Sequence, residues 1–164
     1  MVNSTAGRRA IFYIGLALYG VSFFLIAVAT LGAYGAPMRG YDCAWFALGL
    51  AWGDNLFGHQ GLFEDRPLDY LGVLLSGWIN PTFLVAAFFV SFRPAARITR
   101  ILAIATLAMI PFCWVVFYYH HFYPREGHFV WIAGMLLVLF EGLNPARIPQ
   151  AGDGAWPRGR SLLP

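Results

Sequence analysis

YLGVLLSGWINPTFLVAAFFVSF, Tyr70 to Phe92, holds 23 residues without a formal charge. As an α-helix it is long enough to cross a hydrocarbon core of about 30 Å. Asn80-Pro81 sits at its midpoint, and Arg93, Arg97 and Arg100 follow its end. The stretch predicts a spanning helix with a proline step, anchored at one end by basic residues.

The composition around it has the same character. The 164 residues are 59% hydrophobic, 18% aromatic and 12% charged, against roughly a quarter charged in soluble domains. A chain of this size has too little interior to hide that much apolar surface from water, so its solvent is expected to be the lipid bilayer. The net charge of +3 comes from arginines scattered between apolar runs. They form no stripe on one face, and no nucleic-acid partner is expected. Two cysteines, Cys43 and Cys113, are too few for a disulfide framework.

Outward from the central stretch, three more apolar runs suggest crossings, at about residues 10–31, 101–123 and 124–143. The first follows Arg8-Arg9. It exceeds the ~7–15-residue core of a signal peptide, which favours a retained membrane helix. The third run carries Pro111 near its centre, and Pro124 would suit the first turn of the fourth helix. Between the first two runs, Cys43 to Trp52 (CAWFALGLAW) is apolar but too short to span. Its tryptophans are seven positions apart and so share one helical face, which suits a short interfacial or re-entrant helix. A fifth crossing there would bury Asp54. The expected fold is therefore an all-α integral membrane protein of four transmembrane helices in residues 1–143, with a short helix on the outer face. Residues 144–164, rich in glycine and proline, should form an irregular cytoplasmic tail.

Arginines set the orientation. Eight of the connecting-segment arginines (8, 9, 93, 97, 100, 147, 158 and 160) fall on one side and three (39, 66 and 125) on the other. The positive-inside rule then puts both termini in the cytoplasm.

Three groups of residues bear on chemistry. Ser76, Asn80 and Thr82 surround the proline step, where Pro81 disturbs the carbonyl of Gly77. Such a polar step can make a small-solute or ligand site, as in broken-helix transporters. The plainer reading has Ser76 and Asn80 bonding to a neighbouring helix. Second, His59 and His128 lie in outer loops where they could meet around a metal. No HxxxH or CxxC spacing supports a metal, and headgroup contact is the reading preferred. Third, Glu141 is the one acid inside the apolar part of an expected span, Phe129 to Leu143. Its place in the last turn lets it reach the inner interface or pair with Arg97 or Arg147. No catalytic constellation is present, so neither an enzyme nor a cofactor is expected.

Four local patterns, YGVSFFL (Tyr19–Leu25), GYDC (Gly40–Cys43), SGWINP (Ser76–Pro81) and PREGHFVW (Pro124–Trp131), resemble those of small uncharacterised bacterial four-helix inner-membrane proteins. The resemblance implies a four-helix architecture and a bacterial inner-membrane location, and it implies no activity. The function expected first is an accessory or structural subunit of a larger membrane complex. A neighbouring protein partner would then hold a tail that cannot order itself. The alternatives are a small-solute permease or ligand sensor working at Asn80-Pro81, and a haem- or quinone-associated redox subunit.

Overall fold

A computed structural model describes residues 5–30, 37–49, 67–94 and 96–143. In chain order these form α1 (Thr5–Ser22), β1 (Ile26–Thr30), β2 (Met38–Arg39), α2 (Gly40–Gly49), α3 (Pro67–Phe92), α4 (Arg97–His120), β3 (Phe122–Pro124) and α5 (Glu126–Leu143). Three helices, α3, α4 and α5, are long and apolar enough to cross a membrane. The chain has the character of a multi-span helical membrane protein.

The central stretch forms one unbroken helix, α3, that continues through Pro81. Pro67 opens it, where a missing N–H costs no hydrogen bond, and Asp69 lies in the first turn, where the helix dipole favours an acid. Phe92 ends it. Arg93 and Pro94 turn the chain into α4, and Thr99 Oγ1 stitches that turn by donating to the Arg93 carbonyl at 2.6 Å. Helix α4 likewise runs through Pro111. It stops at His121, whose left-handed backbone (φ 54°) aims its N–H at the Phe117 carbonyl.

Helices α3 and α4 form one antiparallel pair, and α1 and α5 form the other. The second pair is close because Gly134 carries no Cβ: one placed there would lie 2.6 Å from the Tyr19 backbone nitrogen and 2.8 Å from the Gly15 carbonyl. Where the pairs meet, Ile79, Phe83, Met135, Val138 and Leu139 are fully buried. The outward faces of α3 and α4 present Leu84, Val85, Phe88, Ile101 and Ile104, as helices solvated by lipid require.

Several expectations need correcting. The run 10–31 is not one helix: α1 ends at Ser22, the chain bends through Phe23–Leu25, and Ile26–Thr30 becomes a strand. Pro124 belongs to β3, and α5 begins only at Glu126. Five helices stand among the described residues, so the architecture is not a four-helix bundle. A small sheet of order β2-β1-β3 was not expected at all. Val28 pairs with Met38 on one side and with Pro124 on the other.

That sheet organises one end of the molecule. The Gly40 and Tyr41 N–H groups, which open α2, donate to the Leu25 and Phe23 carbonyls, both at 3.0 Å. These are two of the orphan donors of a helix start, met by the turn that follows α1. Arg125 N–H donates to the Ala27 carbonyl at 2.8 Å, tying the start of α5 to β1. Gly127 makes room for this, since a Cβ there would sit 2.7 Å from the Ile26 carbonyl oxygen. Helix α2 thus lies against β1 and α3 with Trp45 79% exposed. Trp52 and His59 lie outside the described residues.

Candidate functional site

Beneath the sheet and α2, between the helix pairs, is a partly enclosed cavity of about 110 Å³. Its wall is mostly apolar and partly aromatic, with Phe23, Phe117, Phe122 and Trp131 contributing. Four residues with polar side chains, Ser22, Ser76, Asn80 and His128, also line it, as do both thiols, Cys43 and Cys113. The fully buried layer of Phe83, Met135, Val138 and Leu139 lies further along the bundle and is not part of the wall.

Each polar group is placed by its own element. Ser22 ends α1 and donates to the Tyr19 carbonyl at 2.6 Å. Ser76 donates back to the Val73 carbonyl at 3.0 Å within α3. One turn further, Asn80 Oδ1 accepts from Tyr19 OH at 3.0 Å and from Trp131 Nε1 at 2.9 Å. Asn80 therefore ties α1, α3 and α5 together. Thr82 is half-buried and is not on the cavity wall. The three residues grouped around the proline step are thus separated, with two on the cavity and one outside it.

His128 departs furthest from expectation. It sits not in an outer loop but in the first turn of α5, and it is only 5% exposed. Trp131, one turn on, stacks on its ring at a centroid distance of 5.4 Å and an interplanar angle of 27°. Phe117 and Trp114 from α4 meet it edge-on at 4.8 Å and 5.6 Å. This cage fixes the ring. The Nε2 atom is buried and has no hydrogen-bond partner, an arrangement that costs free energy unless something else fills the role. Headgroup contact is excluded for this histidine by its burial. A signal for it was present: a histidine one helical turn before a tryptophan, followed directly by Phe129 and Val130.

The other histidines serve elsewhere. His120 Nε2 lies 3.1 Å from Asp69 Oδ1, linking the last turn of α4 to the first turn of α3. His121 caps α4. No cluster of three or more histidine, cysteine or acidic side chains suited to a metal occurs among the described residues. Glu141 is buried in the last turn of α5, and Arg147 lies outside the described residues.

Both cysteines are free. The Cys43 thiol is pushed up to about 11, first by burial and then by the neighbouring Asp42 charge, so it is held as the unreactive thiol at neutral pH.

Comparison with family models, with curated proteins and with solved structures found no match. The resemblance to bacterial four-helix membrane proteins is thereby withdrawn, since the helix count differs and no family supports it. What stands is the class: an all-α, multi-span membrane protein with a partly aromatic cavity near one end of its bundle.

Proposed function

We propose that this protein is a membrane-embedded binding protein, a ligand sensor that holds a small apolar molecule in the cavity beneath the sheet. The observation that carries this reading is the cavity itself, lined by aromatic rings and by His128, whose Nε2 is buried without a hydrogen-bond partner. Ligand sites are concave and mostly apolar, with few fixed polar groups, and this wall fits that description. A permease is disfavoured because α3 is continuous through Pro81 and because a fully buried layer packs the bundle beyond the cavity. The accessory-subunit expectation rested on the tail, which lies outside the described residues.

Four crossings belong to the same reading, with α1 counted beside α5 and both termini on the arginine-rich side. Arg8 and Arg9 occupy the start of α1, Arg93 the turn between α3 and α4, and Arg97 and Arg100 the first turn of α4. The sheet, α2 and the cavity then face outward. Reporters fused to each terminus should both read cytoplasmic.

The binding test is thermal. Ala44 lines the cavity, and Ala44→Leu fills it. Toluene should raise the melting temperature of the purified protein in lipid nanodiscs in a saturable way. A concentration tenfold above the dissociation constant contributes about 1.4 kcal/mol, a shift of a few degrees. An equal response from Ala44→Leu would remove the reading.

A further inference from the structure

The cavity wall specifies more than an apolar guest. This step rests on the binding reading above and narrows it to a chemical class. The two serine hydroxyls donate to carbonyls of their own helices, and Asn80 Oδ1 accepts from Tyr19 and Trp131. His128 Nε2 alone among the described side-chain polar atoms is buried without a partner. Its ring cannot swing away to find one, because Trp131 covers a face and Phe117 and Trp114 hold the edges.

Neutral imidazole carries one donor and one acceptor nitrogen. A hydroxyl both donates and accepts, so it satisfies Nε2 in either tautomer. Size and shape set the remainder of the guest. An apolar cavity of ~150 Å³ takes benzene, and this one measures about 110 Å³ and is only partly enclosed. Phe117, Phe122 and Trp131 in its wall favour a flat ring over a branched chain. We propose that the cavity is a site for a single-ring phenol, with its hydroxyl hydrogen-bonded to His128 Nε2 and its ring packed among these aromatic side chains.

The experiment compares 4-fluorophenol, fluorobenzene and cyclohexanol by fluorine- or proton-detected NMR saturation transfer. It uses the full chain in phosphatidylcholine nanodiscs, with Ala44→Leu nanodiscs giving the bilayer background. The wild type should bind 4-fluorophenol at least tenfold more tightly than fluorobenzene. His128→Phe should erase that preference while leaving fluorobenzene binding in place. Fluorobenzene bound as tightly as 4-fluorophenol, or a preference that survives His128→Phe, overturns the phenol assignment and leaves the binding reading standing. Cyclohexanol bound as tightly as 4-fluorophenol overturns the ring requirement, and with it the phenol class. No probe binding above the Ala44→Leu background removes both. Should His128→Phe not fold, the imidazole ¹⁵N resonance of wild-type His128 decides the matter. It should move with 4-fluorophenol and not with fluorobenzene, and equal or absent movement overturns the assignment.

Discussion

Trp131 donates its indole N–H to Asn80 Oδ1 across 2.9 Å, and the same oxygen takes the Tyr19 hydroxyl at 3.0 Å. One amide thus joins three helices. Asn80→Leu should destabilise the protein by about 1–2 kcal/mol, since interhelical hydrogen bonds in membranes contribute about 0.6 kcal/mol each and up to ~1.7. Thermal melts of Asn80→Leu, Trp131→Phe and the double variant measure the coupling. Additive single effects would show that the contact contributes nothing.

Glycines on α1 and α5 should respond in opposite ways. Gly134→Ala drives a methyl into the α1 backbone at Tyr19 and Gly15, and should cost about 1–3 kcal/mol as the helices part. Gly20 meets nothing within 4 Å, so Gly20→Ala should be neutral or stabilising by up to about 1 kcal/mol through helix propensity. Melting temperatures in one detergent settle the pair. Equal effects would mean that α1 does not lie this close to α5.

Two adjacent histidines should also part company. His120→Phe leaves the Asp69 carboxylate, only 3% exposed, without its imidazole partner at 3.1 Å. His120 is itself partly open to solvent, so a modest loss of about 1 kcal/mol is expected. His121→Gly relieves a left-handed backbone that favours glycine, and should gain up to about 1 kcal/mol. Chemical denaturation of both variants tests the opposite signs.

Cys43 supplies a pH dependence. With its thiol pushed up to about 11 by burial and by Asp42, the reactive thiolate is scarce at pH 8. Maleimide labelling of Cys43 in a Cys113→Ala background should be slow there and speed up about tenfold per pH unit until pH approaches 11. Asp42→Asn removes the second cause, so labelling should be faster at every pH below that. Labelling as fast as a free thiol at pH 8 would show that α2 does not press Cys43 against the rest of the protein.

The spanning helices were legible because uncharged runs bounded by arginine permit little else. The run 70–92 lies within α3, and 101–123 overlaps α4 almost throughout. The break after Ser22 was not legible. IAVAT is apolar throughout, so it fits the end of a buried helix as well as a strand. What decides for the strand is pairing with Met38 and with Phe122–Pro124, partners set far from it along the chain. The polar step was half legible. Asn80 does bond across helices, yet nothing in the spacing of the sequence singles out Tyr19 and Trp131 as its partners. His128 was hidden because Pro124 and Gly127 ahead of it read as a turn, whereas α5 already begins at Glu126.

The pairing of Val28 with Pro124 has a consequence for biogenesis. A membrane chain emerges from its insertion machinery in order, so β1 can pair with β2 at once while its other edge waits for α3 and α4 to be made and placed. Only when β3, just before α5, has been delivered to the same side can the sheet close. The last segment inserted is therefore the one that locks the first. A chain truncated after α4 should reach the bilayer yet remain unsealed, and quality-control proteases would find it there.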